Sequence, residues 1–309
     1  MSVSELRAFD DARRTSGAAR IAALRDAAEA VALRVRAQPV RLAEVLPIDR
    51  VVVETRTVLP DARLVSPLVA LVRRAFSLVA ADGTRVLVDA SDAGPSTPYE
   101  ERIASRHPVA LRALGSRGQD LAWPAADVVV CTSLALRSIE RAHGKLASAR
   151  WVVFRAELEA ARDPMPLDRP RYARRAPSLE GVEASIEVAP GIVLLTTPGP
   201  SPGHGSLVFA HRGRVHVISH AGVVVDAWAP YESSVPGLRE AVRLRGVEAT
   251  VRGDASDPAA ALEAMAVERA AADRRADAPA LFRVLPSMEL VTSAFYPRMR
   301  PFPGTTLDA

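Results

Sequence analysis

Residues 127–154 read DVVVCTSLALRSIERAHGKLASARWVVF, and this stretch does most to decide the fold. Apolar runs at its two ends predict strands over Val128–Thr132 and Trp151–Arg155. The charged part between them predicts a helix over Ser138–His143, followed by a turn of small residues. The segment therefore alternates strand, helix and strand.

A second stretch, TPGPSPGHGS at residues 197–206, places proline, glycine and one histidine in a loop. The two stretches resemble metallo-β-lactamase-fold hydrolases of the lactonase and glyoxalase-II-like kind. In those proteins a strand, the motif Thr-His-x-His-x-Asp-His and a helix precede a Thr-Pro-Gly-His-Thr-Pro-Gly-His-x-Ser loop. The resemblance runs from Val86, where a Val-Leu-Val-Asp strand begins, to Pro286. It implies an α/β fold with the layers of an αββα sandwich.

The same resemblance locates the positions at which those hydrolases hold their metal ligands. His204 corresponds to the second histidine of the loop motif, which is not a ligand. Seven positions of this chain correspond to ligands, and the residues there are Ser133, Ala135, Arg137, Ser138, Pro200, Ala221 and Met288.

These residue types do not suit a metal centre. Zinc and iron in such sites take imidazole, carboxylate or thiolate donors, and alanine, proline and arginine supply none of them. The guanidinium of Arg137 would also repel a dication placed beside it. We therefore expect no metal and no other cofactor, so that the water-activating chemistry implied by the resemblance is absent. The sequence favours a pseudoenzyme with a binding, scaffolding or regulatory role.

Two other functions stay open at this stage. A metal-independent enzyme would use His204, His220 and Arg137 on an anionic or ester substrate, although no Gly-x-Ser-x-Gly elbow provides a serine nucleophile. A nucleic-acid-associated subunit is the weaker alternative, because 39 arginines and the single Lys145 are scattered along the chain and indicate dispersed, solvated charge. The expected partner is a small anionic ligand or a protein.

The vacated centre is expected to leave a pocket. Arg137 is predicted to occupy the space of the metal and to pair with Glu289 or with a bound anion, because an unpaired buried charge is costly. The residues expected to line this pocket are Ser133, Arg137, Ser138, Pro200, His204, His220, Ala221, Met288 and Glu289.

Length and composition describe a globular chain of 309 residues, 49% hydrophobic and 25% charged, with a formal net charge of +4. The single cysteine, Cys131, excludes an internal disulfide and is expected to be a small buried side chain. No apolar stretch approaches the roughly 20 residues that span a bilayer. The protein is expected to be cytoplasmic and not to bind membranes.

The chain is predicted to have two parts, a helical extension over residues 1–45 and the sandwich over residues 46–309. Leu24, Ala28 and Val31 form an apolar stripe in the extension. Because an isolated amphipathic helix is marginal in water, this stripe is expected to pack on the sandwich or across a homodimer.

Further elements are predicted from short apolar runs and from alanine-rich stretches. Ser256 or Asp257 is the candidate N-cap of the last helix. The helices are predicted over Pro236–Arg243 and Asp257–Arg275. The strands are predicted over Val51–Val58, Phe76–Val79, Val86–Asp89, Ile186–Val188, Ile192–Thr196, Ser206–Ala210, Val215–Ser219 and Val223–Val225.

Overall fold

The computed structural model describes residues 4–17, 19–63, 67–93, 121–134, 139–162, 179–233 and 235–290. The helices within these ranges are α1 (Ser4–Arg14), α2 (Ala19–Arg36), α3 (Thr55–Val58), α4 (Glu140–Lys145), α5 (Arg155–Arg162), α6 (Leu238–Arg245) and α7 (Pro258–Ala271). Two 3-10 helices cover Val225–Trp228 and Pro230–Glu232. The strands are β1 (Leu42–Glu54), β2 (Leu68–Val79), β3 (Arg85–Val88), β4 (Val128–Val130), β5 (Arg150–Phe154), β6 (Glu180–Val182), β7 (Ile186–Ala189), β8 (Ile192–Thr196), β9 (Gly205–His211), β10 (Arg214–Ser219), β11 (Val284–Pro286) and β12 (Met288–Leu290).

The strands form two sheets. The first has the order β1-β2-β3-β4-β5-β6, and β12 pairs with β2 beside β3. Strands β3 to β6 are parallel to one another, so the loops that follow them open at one edge of the sheet. The second sheet has the order β11-β10-β9-β8-β7 and is antiparallel except for the β10/β11 pair.

Alternating side chains divide the core into layers, because successive residues of a strand point to opposite faces. Val86 and Val88 pack between the two sheets, against residues such as Leu194 and Phe209 of the second sheet. Leu87, between them in sequence, packs on the outer face of the first sheet, where helix α4 covers it. The helices α1, α2 and α7 cover the other sheet. The predicted α/β class and αββα sandwich are therefore confirmed.

Several segments differ from the predicted elements. The run Thr55–Val58 forms α3 instead of the end of a strand, and the amide of Leu59 closes this turn onto the carbonyl of Thr55 at 2.7 Å. Val223 and Val224, predicted to lie in a strand, are buried but lie outside the strands. A short apolar run is typical of any buried segment and does not by itself indicate a strand. Strand β1 starts at Leu42, inside the predicted extension. Of the two candidate caps, Asp257 is the one that caps α7, accepting from the amides of Ala259 and Ala260 at 3.0 Å.

The N-terminal helices pack on the sandwich. Leu24, Ala28 and Val31 of α2 are at most 2% exposed and share a core cluster with Val208 of β9 and Met265 of α7. The apolar stripe is thus covered within the chain, as in the first of the two arrangements expected. The homodimer stays a prediction. No helix in the part of the chain that the structure describes is long and apolar enough to span a membrane.

Replacing Leu24 by alanine is expected to lower the free energy of unfolding by about 2 to 3 kcal/mol, because the buried side chain leaves a cavity against α7. Leu33 lies on the same helix and is 65% exposed, so Leu33→Ala is a matched control with a change below about 0.5 kcal/mol. Urea unfolding of both variants measures the difference. Equal losses would mean that α2 does not pack on the sandwich.

Candidate functional site

The loops that follow β3, β4, β8 and β10 meet at one edge of the sandwich, and Asp89, just after β3, contacts both the β4 loop and the β11–β12 turn. Asp89 directly follows β3 and has a φ of 59°, in the left-handed region that aspartate tolerates better than most residues. Its carboxylate accepts from the amide of Thr132 (2.8 Å), the hydroxyl of Thr132 (2.7 Å) and the hydroxyl of Ser287 (2.5 Å). The β4 loop and the β11–β12 turn are therefore tied together.

A second buried carboxylate, Glu157 of α5, lies beside the predicted ligand position Ser133. Its Oε1 accepts from the Ser133 hydroxyl and the Leu134 amide, each at 2.8 Å. Its Oε2 accepts from the Ser201 hydroxyl at 2.8 Å and the Gly203 amide at 3.0 Å. Glu157 is 0% exposed. The carboxylate thus joins the two loops whose motifs define the resemblance.

The loop from Thr197 to His204 is held closely against two helices. A Cβ at Gly203 would lie 2.2 Å from the backbone nitrogen of Glu157, and a Cβ at Gly199 would lie 2.2 Å from that of Ala261 in α7. Glycine is needed at both positions because any side chain would collide with backbone. The loop is therefore a packed part of the structure.

His204 is fully buried, and both of its ring nitrogens make hydrogen bonds. Nδ1 lies 2.8 Å from the carbonyl oxygen of Thr197, which can only accept, so Nδ1 carries the proton. Nε2 accepts from the backbone amide of His220 at 3.2 Å. The imidazole is thereby held in one neutral tautomer.

The neighbouring His220 contacts an arginine that the sequence reasoning did not select. Nη1 of Arg252 lies 3.1 Å from Nε2 of His220, and a guanidinium can only donate. Arg252 also makes a bidentate contact with Asp254, at 2.9 and 2.7 Å. The lone pair on Nε2 of His220, which a general base would use, therefore already accepts from Arg252.

A third buried carboxyl group, Glu268 of α7, lies under the same loops. Oε1 accepts from the hydroxyls of Ser206 and Ser219 at 2.6 Å each, and Oε2 accepts from the indole N–H of Trp228 at 2.6 Å. Burial raises the pKa of Glu268 to about 7, and the three hydrogen bonds act in the opposite direction. A chain of hydrogen bonds links it to His204 through Ser206 and Thr197.

The structure places the other predicted residues as follows. Pro200 is partly buried, and its carbonyl accepts from the amide of Ser256 at 3.3 Å. Ala221 and Met288 are each 1% exposed. Cys131 is buried, as expected. Ala135, Arg137 and Ser138 lie outside the described residues.

The acceptor predicted for Arg137 has another partner. Glu289 Oε2 accepts from Arg74 at 2.5 Å, and Arg74 also donates to the carbonyl of Pro286. Pairing of β12 with β2 brings these side chains together. The two residues are 215 positions apart in the chain, so the sequence alone does not indicate the contact. Arg74 and Arg73, expected at the solvated surface, are instead 5% and 1% exposed. Asp49 pairs with Arg73 at 2.6 Å.

Sequence reasoning missed Glu157, Glu268 and Arg252. Glu268 had a usable signal, because it lies at helical spacing from Ala264 and Ala271 on the buried face of α7. Glu157 had none, since a glutamate in a short charged helix is usually solvated. In the described ranges, no three side chains of the types His, Cys, Asp and Glu come together in a group that could hold a metal ion.

A pocket of about 330 Å³ adjoins the Thr197–His204 loop. Its wall includes the ends of β5 and β8, helix α5 and one residue of α1, Arg13. The residues that carry its chemistry are Arg13, Phe154, Glu159, Val182, Pro198 and Pro202.

Fold and site together define an α/β sandwich whose edge loops are joined by buried carboxyl groups. No family model and no curated protein matches the chain. Among solved structures it is similar to an N-acyl homoserine lactone hydrolase with N-hexanoyl-L-homoserine bound at its catalytic metal centre (20% identity, 74% of this chain and 86% of that chain, TM-score 0.48).

Two further solved structures are similar at lower identity. One is a probable metal-dependent hydrolase from Staphylococcus aureus (13% identity, 72% of this chain and 82% of that chain, TM-score 0.49). The other is a hydrolase of the beta lactamase superfamily (13% identity, 74% and 83%, TM-score 0.41).

Proposed function

We propose that this protein has a metallo-β-lactamase-like fold but no functional metal centre, and that it acts as a binding, scaffolding or regulatory protein. The observation that carries the proposal is the chemistry of four described ligand positions. Pro200 and Ala221 have no side-chain donor for a metal. The hydroxyl of Ser133 already donates to Glu157. Met288 presents only a thioether, a soft ligand that does not suit zinc or iron hydrolase sites.

The surrounding hydrogen bonds support the same proposal. Asp89 and Glu157 are buried carboxylates in direct contact with the motif loops, and their oxygens accept from backbone amides and hydroxyls. A metal bound to either group would have to displace those donors, which would then be buried without a partner. The donor set therefore does not fit the metal implied by the resemblance.

Purified protein, after removal of any affinity tag, is expected to contain less than about 0.1 zinc, iron or manganese per chain. Inductively coupled plasma mass spectrometry measures this directly, also after dialysis against each metal followed by desalting. The control is the variant Pro200→His/Ala221→Asp, which restores ligand types at two of the positions. One or two metal ions per wild-type chain would overturn the proposal.

The metal-independent enzyme is the weaker candidate. A general base needs a lone pair within reach of substrate. In His204, Nδ1 is bonded to the carbonyl of Thr197 and Nε2 accepts from the amide of His220. In His220, Nε2 accepts from Arg252. Turnover of esters or lactones by metal-free protein, abolished by His204→Ala, would favour this candidate over a binding role.

A further inference from the structure

The pocket beside the Thr197–His204 loop combines one unpaired cation with apolar walls. We propose that it binds a small organic monocarboxylate with a short apolar chain, with Arg13 holding the carboxylate. This inference rests on the proposed binding function and names its ligand class. The pocket has a volume of about 330 Å³, which is at the lower end of the range for ligand pockets.

Arg13 has no direct partner among the described residues. Two carboxylates contribute charge near it, Asp10 and Glu263, but each is engaged elsewhere. Asp10 accepts from the Ser185 hydroxyl and amide, and Glu263 pairs with Arg20 at 2.8 Å. Burial lowers the pKa of Arg13, which nevertheless stays charged at any physiological pH. A partly desolvated guanidinium without a partner is suited to a bidentate carboxylate.

The position of Arg13 is fixed through its helix. Asp10 precedes it by one helical turn and accepts from Ser185 Oγ at 2.7 Å and Thr196 Oγ1 at 3.1 Å. Thr196 ends β8, immediately before the loop that forms the pocket wall. Helix α1 is thus attached at the base of this loop, and residues i and i+3 of a helix lie on one face. The guanidinium is therefore presented to the pocket by a rigid element.

The remaining lining selects the kind of anion. Phe154, Val182, Pro198 and Pro202 provide apolar surface for a hydrocarbon chain. Glu183 is neutralised by Arg155 at 2.9 Å. The exposed Glu159 leaves one negative charge in the lining, and this charge opposes a dianion more strongly than a monoanion. A carboxylate with several carbons fits this lining better than inorganic phosphate does.

The test is a titration of the protein with sodium hexanoate at constant ionic strength, in which isothermal titration calorimetry measures the binding. Wild type is expected to bind one hexanoate saturably, with at least tenfold weaker binding of 1-hexanol and inorganic phosphate. Arg13→Met is expected to weaken hexanoate binding at least tenfold. The matched control is Arg7→Met, which removes the same charge from an exposed position on the same helix and should change the affinity less than twofold.

A second variant covers the case in which Arg13→Met does not fold. Ala156→Phe fills the pocket from the exposed face of α5 and leaves Arg13 in place, so it should also weaken hexanoate binding at least tenfold. No saturable binding to wild type, equal binding by Arg13→Met, or tighter binding of phosphate would overturn the inference. Metal content of the same samples separates the two proposals, because metal-free protein that ignores hexanoate contradicts only the pocket.

Discussion

Glu157→Ala is expected to lower the free energy of unfolding by about 4 kcal/mol or more. The substitution leaves the hydroxyls of Ser133 and Ser201 and the amides of Leu134 and Gly203 without their acceptor in a buried site. Each unsatisfied buried donor costs about 1 to 3 kcal/mol. Urea unfolding followed by circular dichroism measures the loss.

The isosteric variant gives a sharper version of this experiment. Each oxygen of Glu157 accepts one backbone N–H, from Leu134 or from Gly203, and a backbone amide cannot reverse its role. In either orientation of the Glu157→Gln side chain, its amide nitrogen faces one of these backbone N–H groups, so two donors point at each other. The variant should therefore still lose about 2 kcal/mol of unfolding free energy. Glu159→Gln, two residues along on the exposed face of α5, should change stability by less than about 0.5 kcal/mol. If Glu157→Gln equals Glu159→Gln, Glu157 does not hold the two loops.

Stability is expected to depend on pH through Glu268. Its pKa is about 7 in the folded protein, against 4.5 for an ordinary glutamate. Below pH 4.5 the carboxyl is protonated in both states. As the pH rises from 4.5 to 7, the unfolded chain releases the proton while the folded protein retains it. The free energy of unfolding therefore falls over this range by on the order of 3 kcal/mol. Above pH 7 both states are ionised and this contribution is constant.

His216 acts in the opposite sense over an overlapping range, so a variant is needed to isolate Glu268. Burial, together with Arg283 and His211, lowers the pKa of His216 to about 3. Its contribution to stability is lost as the pH falls below 6.5 towards 3. His216 is present in both proteins, so its contribution cancels in the difference between wild type and Glu268→Gln, measured by urea unfolding from pH 4.5 to 8. A difference that does not change with pH would contradict the raised pKa.

The sequence predicted the strands better than the site. Ile192–Thr196 was found with its bounds because an apolar run between turn residues has few other interpretations. Glu157 and Arg74 were not found, because a charged residue in a short helix or strand has the same local pattern whether it is solvated or buried. Their partners are 23 or more residues away in the chain, and only the folded sheets bring them together.

The packing of α2 against α7 has a consequence for biosynthesis. Roughly 220 residues separate the end of α2 from the start of α7, so ribosomes need roughly 10 to 45 seconds to complete the covering surface. During that interval Leu24, Ala28 and Val31 have no sandwich to cover them, and a lone helix of this length is marginal in water. The nascent chain is therefore expected to present its N-terminal helices to chaperones until translation has passed α7.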